Sequence, residues 1–311
     1  MSRRGRLVDC STCVGTVALL DPVMTASGTA GHGDELARYL DLSALGAVVV
    51  KSLSAEPWAG NPAPRVHETQ GGMLNSVGLQ GPGVAAWLEQ ELPPLVATGA
   101  TIVASIWGQT VDDYAAAAEA LADAPPEVVA VEVNLSCPNL HHGREMFAQR
   151  PETTTEAVRA SKACGRPVWA KLSPNVASLV PIAEAAAEAG AEAVTLINTV
   201  LGMAIDPETR LLRLGGGGGG LSGPAIHPVA VRAVHDVHQA FPDLPIIGVG
   251  GVSTGLDAIE LMVAGASAVQ VGTATFADPR AAGRVSEEIQ TWCRRRGVAA
   301  VTELIGAVRA R

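Results

Sequence analysis

Two lysines, Lys51 and Lys171, stand at the C-terminal ends of short apolar runs. The amides Asn134 and Asn198 and the hydroxyls of Ser27, Ser52 and Thr199 occupy similar places. Two further runs end in small residues, at Gly250-Gly251 and Gly272-Thr273. An ammonium withdrawn from water needs an anionic partner. Two of them beside one pocket therefore predict a ligand with delocalised negative charge. Asn75, Asn134, Asn139 and Asn198 each donate and accept hydrogen bonds, which suits an imide or amide ring. Residues as small as Gly250, Gly251 and Gly272 let backbone N–H groups reach phosphate oxygens, aided by a helix that starts at Ser253 or Thr254. The other reading of these glycines is tight turns. Cys137 lies in a proline-bounded loop. It is either an inert buried thiol or, facing the pocket, a base whose ordinary pKa is about 8.5.

The elements that must position these groups are legible as eight apolar runs: 22–27, 47–52, 101–107, 128–135, 167–172, 193–199, 245–250 and 268–273. They are nearly continuous in hydrophobicity rather than alternating, as parallel strands buried on both faces should be. Helical patterns fall between them at 34–45, 111–122, 152–164, 178–189, 228–241 and 254–264. Ser178 and Thr254 read as N-caps, and Gly46, Gly165, Gly190 and Gly265 as stops. Eight strands alternating with helices predict one α/β domain over 1–311, a (β/α)8 TIM barrel, with a doubly wound open sheet as the alternative. All eight predicted strands end in a hydrogen-bonding residue or glycine, and in a barrel those ends converge on one pocket. Two long connections, 53–82 and 200–227, follow strands and so belong to that face as active-site insertions.

The remaining signals are weaker. Cys10-Ser11-Thr12-Cys13 has metal or redox spacing but no second pair, so no metal is expected. His235 and His238 read as a solvated helix face, and His141-His142 as part of a lid. Gly215–Gly220 lacks the strand-to-helix context of a dinucleotide fingerprint. A net charge of −9 argues against binding nucleic acid through its phosphates. No apolar run reaches the roughly 18–20 residues of a membrane span, and no secretory signal is visible. Five scattered cysteines fit reduced thiols and a cytoplasmic protein. Aromatic residues are only 3%, so a planar ligand must rest on aliphatic and backbone surfaces.

Nine ordered segments resemble the catalytic subunits of class 1B dihydroorotate dehydrogenases over roughly residues 20–280. They are DPVMTASGT (21–29), KSLSAEPWAGNPAPRV (51–66), GMLNSVGLQGPG (72–83), VEVNLSCPN (131–139), VWAKLSPNV (168–176), TLINTVLGMAID (195–206), GGLSGPAIHP (219–228), PIIGVGG (245–251) and AGASAVQVGTA (264–274). The resemblance implies an FMN-dependent oxidation of dihydroorotate to orotate in pyrimidine biosynthesis. FMN would contact Ser27, Lys51, Ser52, Ser105, Asn134, Lys171, Ile197, Gly223, Gly250, Gly251, Gly272 and Thr273. The pyrimidine would contact Lys51, Asn75, Ser76, Val77, Gly78, Leu79, Asn134, Asn139, Asn198 and Thr199. Cys137 falls on the family's base, which takes the C5 proton while hydride passes from C6 to flavin N5. Lys171 would stabilise the charge of the reduced flavin.

Four positions depart from the family pattern: Asp21 and Ser105 where Asn is usual, Trp58 where Arg is usual, and His227 where Lys is common. Enzymes of this class also imply a homodimer core with a second subunit, a heterotetramer in which the partner's FAD and 2Fe–2S cluster pass electrons to NAD. This chain has neither a Rossmann fingerprint nor a four-cysteine cluster motif of its own. The alternatives are a stand-alone flavin enzyme using fumarate or a related cyclic substrate, a barrel with a Schiff-base lysine, and a non-catalytic scaffold.

Overall fold

A computed structural model describes residues 8–136 and 145–309. The chain enters through a hairpin, β1 (Thr12–Val14) and β2 (Val17–Leu19), and then β3 (Val23–Thr25) and β4 (Val48–Val49). The first insertion carries β5 (Val66–Thr69) and β6 (Gly72–Asn75). Next come β7 (Ile102–Ile106), β8 (Val128–Asn134), β9 (Val168–Lys171) and β10 (Ala193–Leu196). The second insertion carries β11 (Val200–Gly202) and β12 (Gly219–Ser222), and β13 (Ile246–Val249) and β14 (Ala268–Val271) complete the set.

Eight of these strands form one parallel sheet in the order β3-β14-β13-β10-β9-β8-β7-β4. A parallel bridge between Met24 and Ala47 joins its two edges into a barrel. Outward side chains such as Val131, Val133, Val194 and Val269 pack under the surrounding helices. Inward ones form a second cluster, in which Met24, Val103, Trp169 and Ile247 meet Val14, Val17 and Leu19 of the entry hairpin. The hairpin thus plugs the N-terminal end of the barrel. Burial on both faces is why the strands read as continuous apolar runs.

The main helices, Val111–Glu119, Pro151–Ser161, Val180–Glu188, His227–Ala240, Gly255–Ala264 and Ala281–Arg296, lie outside the sheet. Thr254 caps as anticipated, accepting from Asp257 N while Asp257 accepts from Thr254 N. Other expectations need correction. The predicted helix at 34–45 is two 3-10 turns, Glu35–Arg38 and Leu42–Ala44. Asp41 is extended and its carboxylate accepts from Ser43 N, which starts a new turn instead of continuing the old one. Ser178 is not a cap; the helix begins at Val180 with Leu179 before it and Pro181 in its first turn. Gly46 does not stop a helix, because a Cβ there would overlap the backbone carbonyl of Asp21 as β4 begins beside β3. His238 is not on a solvated face: its ring packs against Gly265 and Gly306, and its Nδ1 is buried.

The two insertions build a structure together. Their strands pair antiparallel in the order β11-β12-β6-β5, with Gly220 opposite Asn75. The glycine run is a packing requirement here. A side chain at Gly219 would overlap the Asn75 carbonyl, and one at Gly220 would overlap Thr199.

Trp169 fills the barrel centre and is fully buried. Trp169→Ala is expected to cost about 3–5 kcal/mol of stability, the loss typical of a buried tryptophan. A denaturation midpoint equal to that of the parent chain would show that the barrel does not depend on this side chain.

Candidate active site

A cavity of about 330 Å³ opens at the C-terminal ends of the barrel strands. Ser27 follows β3, Lys51 and Ser52 follow β4, Asn134 and Lys171 end β8 and β9, and Ile197, Asn198 and Thr199 follow β10. All of them line it. Asn75, Ser76, Val77, Gly78 and Leu79 arrive from the first insertion, and Gly223 from the second. Gly250, Gly251, Gly272 and Thr273 close the far side. Ser105 is fully buried behind this wall, its hydroxyl 2.9 Å from Ser52 Oγ and 3.3 Å from Ser27 Oγ. Cys137 and Asn139, with His141 and His142, lie outside the described residues.

A chain of hydrogen bonds sets the orientation of the amides. Asn134 Nδ2 donates to Ser52 Oγ at 3.2 Å, and Asn198 Nδ2 donates to Asn134 Oδ1 at 3.2 Å. Asn198 Oδ1 in turn accepts from Thr199 N at 2.7 Å. The polarity of both side chains is thereby fixed, so each presents a defined face to the cavity. Tyr114 supports the end of β8 from outside by donating to Asn134 O at 2.8 Å.

The strap 75–81 is clamped by residues that sequence reasoning had not placed in the site. Trp58 Nε1 donates to Gly78 O at 3.0 Å, Asn61 N to Val77 O at 3.0 Å, and Asn61 Nδ2 to Ser76 Oγ at 2.9 Å. Arg65 Nε donates to Asn61 O at 2.6 Å and its guanidinium reaches Gln80. These bonds hold Leu79 at φ 61°, a conformation uncommon for a non-glycine residue. The only signal for Asn61 and Arg65 was their place in the GNPAPR segment.

Electrostatically the two lysines differ. Lys171 is buried and paired: its Nζ is 3.3 Å from Glu132 Oε1 and 3.0 Å from Gln270 Oε1. Glu132, Gln270 and Thr195 were also missed. Each is a polar residue inside an apolar run, and only the barrel geometry turns them towards one another. Lys51 is half-buried and has no anionic partner among the described residues. Burial, and secondarily the nearby Arg65 guanidinium, hold its ammonium below the usual lysine range. An anionic ligand in the cavity would supply the missing counter-charge.

The glycine turns give the opposite end of the cavity its shape. Gly250 and Gly251 have φ 139° and 70°, and side chains there would run into Ala230 and His227, at 2.7 and 2.6 Å. The chain can pass so close to the helix His227–Ala240 only without side chains. His227 Nδ1 lies 2.8 Å from Gly250 O, bracing the turn where a lysine is common in the family pattern. Backbone turns of this kind at the ends of β13 and β14, opposite two lysines, suit a phosphate-bearing ligand. An FMN-sized group fits this donor set.

The other departures also have structural roles. Asp21 accepts from Val23 N at 2.9 Å and Ser286 Oγ at 2.6 Å, tying β3 to the last helix. At Cys10, burial first and Asp21 second push the thiol up to about 11, which disfavours thiolate chemistry at neutral pH. Among the described residues no cluster could hold a metal ion, and no helix is long and apolar enough to cross a membrane.

A (β/α)8 barrel with glycine turns at β13 and β14, and with cations and fixed amides facing them, defines a ligand-binding enzyme barrel. Residues 10–292 match the dihydroorotate dehydrogenase family, and the chain belongs to it. A relative from Geobacter sulfurreducens, named dihydroorotate dehydrogenase B (NAD(+)), catalytic subunit, is 48% identical over 96% of this chain and 98% of its own length. A protein of the same name from Geotalea uraniireducens is equally similar, at 48% over the same shares. One from Solibacter usitatus, provisionally named dihydroorotate dehydrogenase A (fumarate), is 46% identical over 96% of this chain and 98% of its own length.

Lys51, without an anionic partner among the described residues, should weaken the ligand-free fold. With its folded pKa lowered, Lys51 destabilises the ligand-free fold most at pH values where both folded and unfolded chains keep it charged. Lys51→Met is therefore expected to raise ligand-free thermal stability at neutral pH. The gain should fade as pH rises through the lowered folded value towards about 10.5, where the unfolded lysine titrates. A gain that grows with pH, or a loss at pH 7, would contradict the assignment.

Proposed function

We propose that this chain oxidises (S)-dihydroorotate to orotate in pyrimidine biosynthesis, as a single-domain, FMN-dependent catalytic subunit in the cytoplasm. The observation that carries the reading is Lys51, a cation without a counter-charge among the described residues, on a cavity it shares with fixed amides and glycine turns. FMN, when bound, supplies the two-electron acceptor for the hydride that leaves C6 of the substrate.

The chain's own residues do the rest. Gly223, Gly250, Gly251, Gly272 and Thr273 hold the phosphate end through the backbone. Ser27, Ser52, Ile197 and, from behind, Ser105 seat the ring system. Lys171 stabilises negative charge gained on reduction. Lys51 takes the charge of the substrate. Asn75, Asn134, Asn139 and Asn198, with Ser76 to Leu79 and Thr199, orient its ring. Cys137 would serve as the base that takes the C5 proton. The four-stranded sheet over the cavity excludes water from the reacting bond.

Electrons then leave through a partner. The relatives' names, catalytic subunit and NAD(+), support a partner subunit that passes the electrons to NAD. In this reading the partner carries FAD and a 2Fe–2S cluster, on a homodimer core, in a heterotetramer. Exposed Leu201, Met203, Ile205 and Leu211 on the second insertion support burial against another chain. The Solibacter relative's name favours a second reading for the acceptor alone, in which fumarate re-oxidises the flavin directly.

An anaerobic absorbance spectrum of the chain reconstituted with FMN, taken before and after dihydroorotate, tests the reading. The flavin band should appear and bleach. Failure to bind FMN would reject the cofactor, and a band that does not bleach would reject the substrate. Cys137→Ala should keep FMN and bind orotate while flavin reduction slows by about 10²–10⁴-fold. Wild-type rates in that variant would remove Cys137 from the mechanism. Re-oxidation by fumarate without a second subunit would decide for the alternative acceptor.

A further inference from the structure

The polar layer beneath the cavity contains a carboxylate that the proposed reaction does not use. Glu132, Thr195 and Gln270 are completely buried, and Lys171 is 5% exposed. They come from β8, β10, β14 and β9, and at this level all four point into the barrel. Glu132 Oε2 accepts from Gln270 Nε2 at 2.7 Å and from Thr195 Oγ1 at 3.1 Å, while Oε1 faces Lys171 Nζ at 3.3 Å. Gln270 Oε1 accepts a second N–H of Lys171 at 3.0 Å. The amide of Gln270 is thus fixed by the carboxylate on one side and the ammonium on the other. Two of the three lysine donors are engaged, and the third is left for the cavity that Lys171 lines.

Burying a carboxylate this deeply is costly, and only pairing and hydrogen bonds offset it. Gln270 alone could orient the lysine. What a neutral amide cannot do is keep an enclosed ammonium charged, because an ammonium out of water gives up its proton unless a negative charge faces it. Of the groups packed against Lys171, Glu132 is the acidic one, and Lys51 is the other charged side chain on the cavity wall among the described residues.

We infer that Glu132 is a positioning residue that, through its contact with Lys171 and with Gln270 as brace, keeps Lys171 protonated while the flavin is still oxidised and neutral. This rests on the FMN reading above. Lys171 then carries its charge before and after reduction. Two-electron reduction to the anionic flavin takes up one proton, at the flavin itself. Without Glu132 the lysine starts neutral and takes up a second proton when the flavin becomes an anion.

The test is the pH dependence of the two-electron reduction equilibrium of bound FMN between pH 7 and 9, measured against a reference dye and corrected for the protons the dye itself takes up on reduction. The parent chain should show a tenfold change per pH unit, one proton for two electrons. Glu132→Gln should show a hundredfold change per unit, and Glu132→Gln with Lys171→Met should return to tenfold. Moving the carboxylate, in Glu132→Gln with Gln270→Glu, should restore tenfold while Lys171 is kept. A tenfold slope in Glu132→Gln would overturn the inference.

A hundredfold slope in the parent chain would overturn it without any variant, should Glu132→Gln fail to fold. Lys171→Met alone should then lower the equilibrium constant at every pH with an unchanged tenfold slope; a constant equal to the parent's would show that Lys171 carries no charge there, and would also overturn the inference. Absence of FMN binding by the parent chain, seen as unquenched FMN fluorescence, would instead reject the FMN reading itself, and the inference with it.

Discussion

A closed parallel barrel hides both faces of every strand, and polar side chains that point inward must satisfy one another. The Lys171–Glu132 pair, braced by Gln270 and Thr195, is how this chain meets that constraint. The apolar lower half of the barrel, with Trp169 and the entry hairpin, seals the pair from solvent on one side. On the other side, the cavity opens directly above it. The depth, polarity and charge of the cavity floor all follow from where the apolar filling stops and this polar layer begins.

Above the floor, rigidity comes from two sources. Strand ends supply the groups that register in the sheet holds in place: Asn134 stands opposite Lys171, and Thr195 opposite Lys171 on the other side. The insertions supply groups held by cross-linking between loops. Trp58, Asn61 and Arg65 clamp the strap 75–81, and β12 pairs with β6 so closely that only glycine fits at Gly219 and Gly220. A site built this way presents its amides in a single orientation, which reduces the cost of ordering them around a ligand. Lys51 is the exception. Its burial meets no anionic partner among the described residues, and that costs the ligand-free fold stability.

Substitution at the departures from the family pattern follows the same logic. Ser105 joins a triangle of hydroxyls instead of reaching the cavity with an amide. Trp58 replaces a cation but holds the strap through its indole N–H and packs edge-on against Trp107, 5.7 Å away. His227 braces the Gly250 carbonyl. In each case the residue present fixes backbone or a neighbouring side chain.

Much of this was legible in the chain itself. Apolar runs of strand length separated by amphipathic stretches specify a parallel α/β fold, because only strands covered on both faces need such runs. The polar residues that end those runs mark the cavity wall, because strand direction alone carries them to one face. The segment 34–45 misled, since its apolar spacing suits a helix but the local side-chain bond at Asp41 breaks it. The tertiary structure alone decided what pairs across the barrel and between loops. Glu132, Gln270 and Thr195 are far apart in sequence and look like blemishes in apolar strands. Asn61 and Arg65 look like ordinary loop residues. Their partners are brought within hydrogen-bond distance only by barrel closure and by the joining of two insertions, and no local pattern encodes those long-range contacts.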